Sequence, residues 1–368
     1  MLFSICTRVG GVACLSILLS IPAWSQQSAT EKMIAQGHFN RARPLVQAVL
    51  ERHPQDVNAL VELSTIQWAF GQLDASVATA ERAVLAADES SAAHAQLLNA
   101  LGAKLASNRT GSFEKLSVTR RFRREADRTL QLDPRNLYAH EALARFYWYA
   151  PAMAGGSRAK SRQWLDKLVQ LDAARGYALK AELDATDSDK AKSLVAVRAD
   201  WMYAVEANPK SYEAHAGLSR CLMSNGSEKL KEAEDEAKKA LTLEPSRIDS
   251  YRMLAAVYVR TSRWDQLDST LKSARSAVPD DLTAEFIAAQ TILDHNLGSQ
   301  WTRAEQHLRT YLKQPSEGLE PSMAMAHWKL GVVMEKEGNR TAALKELEIA
   351  ISLDQSMDEA KRELQKLH

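Results

Sequence analysis

The chain is short of the residues that make turns. It carries 15 glycines and 10 prolines in 368 residues, together about 7% against a usual share near 12%. A β-sandwich or barrel turns every 8–12 residues or so, and those turns are built on Gly, Pro and Asn. That class is excluded. Charge of one sign is also missing. Lys+Arg number 47 and Asp+Glu 46, a formal net charge of +1, so the strongly basic footprint of a nucleic-acid binder is absent. Cysteine is scarce: Cys6, Cys14 and Cys221 are the only three. Apolar residues at 45% and aromatics at 7% exclude a disordered chain. What remains is an all-helical protein with its own core.

The first 25 residues differ from the rest. Met1 to Arg8 carries one positive charge and no acid, and Val9 to Ala23 is an uncharged, mostly apolar run. Ala23-Trp24-Ser25 then reads small, large, small before polar Gln26. This is the layout of a secretory signal peptide, with cleavage expected after Ser25. The run is shorter than the ~20 residues a spanning helix needs; the alternative is an uncleaved anchor in the inner membrane. Gly11-Val12-Ala13-Cys14 lacks the Leu of a lipidation site. With the leader removed, only Cys221 stays, no intramolecular disulfide is possible, and a small buried hydrophobe is its expected role. No later segment is apolar enough to span a bilayer.

Self-similarity organises the remainder. A phrase recurs in which apolar residues step into a proline: Leu50 to Pro54, Leu130 to Pro134, Val205 to Pro209, Leu241 to Pro245 and Arg275 to Pro279. The step from Pro245 to Pro279 is 34 residues and from Pro209 to Pro245 it is 36. Each interval holds two helical patterns. Tyr251, Leu254, Ala255 and Tyr258 recur at i, i+3, i+4, i+7; Trp264, Leu267, Leu271 and Ala274 form a second face. In the last interval His327, Leu330, Gly331 and Met334 precede Gly338-Asn339, and Ala343, Leu347 and Ala350 follow. Gly338 suits the left-handed position that ends a helix. Gly331 and Ala343 are small enough to let two helices approach closely.

These residues resemble the tetratricopeptide repeat (TPR), whose pattern runs W-x2-L-G-x2-Y, A-x3-F, P. The resemblance implies an all-α fold, a right-handed superhelical solenoid of antiparallel helix pairs. About nine units are expected, near 26–56, 57–90, 91–136, 137–175, 176–211, 212–247, 248–281, 282–320 and 321–355, with a polar capping helix at 356–368. Trp is missing from the usual first-helix slot, where His94, His140, His215, Tyr251 and His327 stand. Equivalent positions in different units lie far apart, so these histidines cannot converge on one metal and are read as packing residues. Unit three is long, with a loop at 107–111. Unit four carries Ala150 to Gly156 between its helices, either a partner-contacting loop or a replacement for a tight turn.

Chemistry-bearing motifs are missing. HExxH, CxxC, a P-loop and GxSxG do not occur in the sequence, so the expectation is a non-enzyme with no cofactor and no metal. A buried, mutually hydrogen-bonded ionisable pair in a cleft would reopen that question. Arg120 to Arg124 is the densest charge cluster; such a run can bind phosphates, acidic peptide or a membrane surface, and the favoured reading is a solvated face with Arg121–Glu125 and Arg123–Asp127 pairs. Asn108, Asn225 and Asn339 open N-x-S/T triplets, a number expected by chance.

The resemblance places the first helix of each unit on a concave groove, the surface such folds use for peptides. First-helix residues outside the packing pattern are the candidate partner-binding set: Trp68, Tyr138, Glu141, Arg145, Trp148, Tyr149, Arg220, Arg252 and Trp328, with Asn58, Asn99 and Arg260 beside them. Tyr138, Glu141, Arg145 and Trp148 step by 3, 4 and 3, one stripe on the first helix of unit four, while His140, Leu143, Ala144 and Tyr147 make its packing stripe. Trp, Tyr and Arg are the residues enriched at binding hot spots. The expected function is a protein–protein interaction scaffold of the bacterial cell envelope, periplasmic or secreted, that holds a partner's peptide or helix. The alternative is an assembly factor that tethers an envelope enzyme or complex. No nucleic-acid partner and no membrane span after signal cleavage are expected.

Overall fold

The computed structural model describes residues 28–107, 110–186, 194–224 and 226–367. The predicted leader, and Asn108 and Asn225, lie outside them. Nineteen α-helices follow one another, with three short 3-10 turns and no strand among the described residues. They pair in sequence as hairpins: α1 (Ala29–Ala35) with α2 (Phe39–Arg52), α3 (Val57–Ala69) with α4 (Leu73–Ala86), α5 (Ser91–Ala106) with α6 (Ser112–Leu132). Next come α7 (Leu137–Tyr149) with α8 (Arg158–Leu171), α9 (Ala173–Ala185) with α10 (Leu194–Ala207), and α11 (Tyr212–Ser224) with α12 (Leu230–Leu243). The last pairs are α13 (Ile248–Arg260) with α14 (Trp264–Ala277), α15 (Thr283–Asp294) with α16 (Trp301–Tyr311), and α17 (Met323–Lys336) with α18 (Arg340–Leu353); α19 (Asp358–Lys366) follows. The fifth pair starts at Ala173, before the expected boundary at 176, because Asp172 both ends α8 and caps α9.

Local chemistry explains the breaks. Asp56 and Asn136 sit at helix N-caps and accept from the amides of Ala59 and Ala139 at 2.9 and 3.0 Å, satisfying orphan donors. Between paired helices the chain reverses through Gly37, Gly71 and Gly338, with φ of +91°, +68° and +81°, where a side chain would be strained. Helices meet over small residues. Within the ninth pair a Cβ added to Gly331 would lie 2.9 Å from Leu347 Cγ, and between the fifth and sixth pairs one added to Gly217 would lie 2.1 Å from the Trp201 ring.

The first-helix histidines are braces. His94 Nδ1 meets Glu125 Oε2 at 2.7 Å and its Nε2 meets the Asp88 carbonyl at 3.0 Å. His215 repeats this with Glu236 at 2.6 Å and the Pro209 carbonyl at 3.0 Å. Each ring therefore ties its helix to the second helix of the pair and to the preceding loop. In the seventh pair Tyr251 does half the task, its hydroxyl donating to the Pro245 carbonyl at 3.0 Å. His327 pairs with Glu346 at 2.7 Å. His140 instead sets its ring edge-on to Trp164.

Consecutive first helices touch along the whole series, α1 to α3 through α15 to α17, whereas consecutive second helices hardly do. The first helices therefore follow the shorter, inner path of the curve and line its concave side. No described helix is long and apolar enough to cross a membrane.

Candidate partner-binding groove

The inner face carries a chain of charges between the fourth and fifth pairs. On α7, Glu141 accepts from Arg145 Nε and Nη2 at 3.1 and 2.9 Å. From α9, Arg175 donates to the other carboxylate oxygen at 2.9 Å, and Arg145 reaches on to Glu182 at 2.6 Å. Burial pushes the Glu141 carboxyl up, but the Arg175 and Arg145 guanidiniums outweigh it and hold it below its ordinary range. Burial likewise works against the charge on Arg145, and Glu141 and Glu182 more than restore it. Tyr138 lies half-buried beside them; burial, then the Glu141 charge, raise its phenol well above the usual value. The result is an ordered polar strip whose guanidiniums are held in place before any ligand arrives. Sequence reasoning found Tyr138, Glu141 and Arg145 but missed Arg175 and Glu182. Their spacing of seven, two turns on one helix face, was the available signal.

Trp148 does not belong to this strip, contrary to the stripe expected from its spacing. It is 5% exposed and packs with Ala144, Leu165, Leu168, Leu179 and Leu183 between α7, α8 and α9. Its indole N–H donates to Thr186 at 3.3 Å, and the Arg158 guanidinium covers the ring at 3.6 Å. A stripe with steps of 3 and 4 drifts around the helix, and by its fourth member it has turned into the neighbouring pair. Tyr149, one residue on, is 57% exposed.

The other candidates spread along the groove. Trp68, at the end of α3, is 42% exposed. Arg220 on α11 is exposed, and its guanidinium has no partner among the described residues. Arg252 is half-buried and donates to Asp249 at 3.0 Å, and Arg260 donates to the Met223 carbonyl at 2.7 Å. Trp328 is half-buried against the core, with Lys329 over its ring. Asn58 is exposed and Asn99 half-buried. Of these candidates, Glu141 and Arg145 are hydrogen-bonded to each other, and Tyr138 lies within reach of their charges.

The groove is also closed across its ends. The connection between α16 and α17 reaches back to the first two pairs. Leu319 N–H donates to the Ala69 carbonyl at 2.9 Å, and its side chain lies over Gly71. Glu317, 8% exposed, accepts from the Asn40 amide at 2.8 Å and from the Asn40 side chain, which also donates to the Ser316 carbonyl at 3.0 Å. Nearby, His38 Nδ1 meets Asp280 at 2.9 Å. Burial pushes the Glu317 carboxyl up to about 7 against the Asn40 hydrogen bonds, helped by the charges of Asp280 and Asp281. Residues about 240–280 positions apart thus hold the solenoid as a closed turn.

One buried ionisable pair does line a cleft. Glu285 on α15 meets His307 Nδ1 at 2.6 Å, and Arg275 reaches its other oxygen; the cleft, of about 610 Å³, runs past Arg303 and Thr310. Its geometry is that of the histidine braces with the two residues exchanged between helices, which makes it part of the scaffold. Among the described residues no three His, Cys, Asp or Glu gather as metal ligands.

Residues 33–101 match the sequence family described as tetratricopeptide repeat. No curated protein matches the chain in sequence. Among solved structures, the chain is similar to an IFIT1 monomeric mutant solved with m7Gppp-AAAA, at 16% identity, covering 92% of this chain and 70% of that one, with a TM-score of 0.50. Yeast Tom70 aligns at 14% identity over 92% of this chain and 79% of its own, with a TM-score of 0.48. YrrB, described as a TPR protein with an unusual peptide-binding site, aligns at 22% identity over 54% of this chain and 96% of its own, with a TM-score of 0.33. At such identities the likeness bears on the helical-repeat fold alone.

Proposed function

We propose that this tetratricopeptide-repeat protein is a non-enzymatic scaffold of the bacterial cell envelope, exported with cleavage after Ser25, that holds a peptide or helix of a partner protein inside its closed turn. The observation that carries the reading is the strip of Tyr138, Glu141, Arg145, Arg175 and Glu182 on the inner face. It combines aromatic area with fixed charges of both signs, which suits a peptide with an apolar anchor and a charged neighbour. Tyr149 and Arg220 extend that surface with groups that are exposed on the same series of first helices. The matched repeat family accords with this use of the fold.

The test is capture from envelope extract with the mature chain as bait, followed by affinity measurement on the recovered partner. Arg145→Ala with Arg220→Ala should weaken binding several-fold, each anchor contributing more than ~1 kcal/mol, while helicity stays unchanged and melting falls only slightly, because Arg175 still pairs with Glu141. Equal affinity of the double variant would overturn the placement of the site in this groove.

A further inference from the structure

The arginine run does not form the pairs its spacing suggests. Glu125 is taken by His94, and Arg121 pairs with Glu81 of α4. Arg120, Arg123 and Arg124 are left exposed, with no carboxylate in ion-pair reach among the described residues. Arg123 rests instead on the neighbouring pair, its Nη2 donating to the Tyr147 hydroxyl at 3.4 Å, and Lys160 stands over the same ring at 5.5 Å.

The same face of α6 carries apolar side chains with nothing over them. Phe113 is 90% exposed and Leu116 53%. At 3.6 residues per turn, Phe113, Leu116, Arg120, Arg123 and Arg124 fall within an arc of about 100°, opposite Val118, Phe122 and Ala126, which are buried. Asp127 and Gln131 are the other members of that arc. The turn after α7 adds Met153, 95% exposed, beside Gly155, which lies against the Arg123 guanidinium.

We propose that this outer face of α6, with Met153, docks on a bilayer surface rich in anionic phospholipid. The chemistry fits on both counts. Phe113 and Leu116 sit one turn apart at the free end of the helix, placed to enter the acyl boundary. The three guanidiniums follow along the same face and meet headgroup phosphates, each strengthening attachment to an anionic surface. A nucleic-acid backbone or a purely acidic peptide would satisfy the arginines and leave Phe113, Leu116 and Met153 in water. The face is a convex ridge on the outer side, so the proposal is independent of the groove.

The test is sedimentation of the full chain with phosphatidylglycerol-containing vesicles and with phosphatidylcholine vesicles. Wild type should bind the anionic vesicles preferentially, and salt should weaken it. Arg120→Gln/Arg123→Gln/Arg124→Gln should lose on the order of 100-fold in partition, and Phe113→Ser/Leu116→Ser at least about tenfold. The apolar leader is common to all variants, so a second readout isolates α6. Tryptophan emission of Phe113→Trp should shift to the blue on anionic vesicles, while that of Leu85→Trp, exposed on α4, should not. Unchanged partition in both multiple variants, or no emission shift at position 113, would overturn the proposal. So would binding of an acidic peptide or an RNA to this face without any response to vesicles.

Discussion

The two halves of the solenoid hold together differently. One large cluster of buried apolar residues runs from Ala181 to Leu367, filled by large side chains such as Tyr212, Tyr258, Phe286 and Tyr311. Before that point the core breaks into four smaller clusters. Polar contacts lie among these clusters. Within the second pair Ser64 and Ser76 exchange hydrogen bonds with each other's carbonyls at 2.9 Å, and Gln96 of the third pair donates to Ser64 at 2.9 Å. The same repeat can therefore be joined by apolar continuity or by satisfied polar contacts, which position helices without adding much burial. The strap at 316–319 then ties the first, more divided half to the second.

The largest effect should come from breaking the bridge between the halves. Trp148→Ala removes a buried indole from the cluster that joins the fourth and fifth pairs and should cost about 3–5 kcal/mol. Hydrogen exchange should rise mainly in residues 137–185. Leu330→Ala, in the continuous core, should cost about 2–5 kcal/mol and raise exchange across several pairs. Equal spread of exchange in both variants would erase the distinction between the halves.

A finer contrast concerns close packing. Gly217→Ala would place a methyl 2.1 Å from Trp201 in the continuous core, an overpacking of about 1–3 kcal/mol. Gly102→Ala meets only the Phe122 ring edge, at 3.3 Å. There the gain in helix propensity, about 1 kcal/mol, should offset the contact and leave melting nearly unchanged. Destabilisation of similar size at both positions would contradict the looser packing of the first half.

pH acts with opposite sign at the strap and inside the second half. Glu317 in the strap has its carboxyl raised to about 7 by burial. Closure is strongest below the ordinary carboxylate range, where the group is protonated whether the strap is open or closed. It weakens as pH rises toward 7 and stays weak above it, by on the order of 2 kcal/mol. Asp280, facing it with His38 and Arg41, opposes this only in acid: burial would raise it, but the His38 contact holds it below its ordinary value. Asp281 is raised by burial and adds to the Glu317 trend. Glu234, between α12 and α14, goes the other way. Burial raises it, but Arg263 and Lys238 hold it down to about 2. Its contribution is present above the ordinary range and fades as pH falls toward 2. The protection factor of the Leu319 amide, its rate referred to a free amide at the same pH, should therefore fall from pH 5 to 8 in wild type and lose that slope in Glu317→Gln.

Much of this was legible along the chain, because a repeat writes itself locally. The steps of 34 and 36 between prolines, the left-handed glycines and the i, i+3, i+4 faces depend on contacts within about one unit. Glu141 and Arg145 were readable for the same reason, being one turn apart on a single helix. The histidines were readable as packing residues; their partners were not, since Glu125 and Glu236 are 31 and 21 residues away.

Tertiary structure decided the rest. Trp148 shares a helix stripe with Tyr138 and Arg145, yet it is buried because α8 and α9 arrive on that side. Arg121 and Glu125 are spaced to pair, yet each finds a better-placed partner on another helix. The closed turn rests on Asn40 meeting Glu317, a contact set by the summed rotation of all the pairs between them. Local periodicity in sequence specifies each step of a solenoid; small rotations accumulated over many steps determine which distant side chains finally touch.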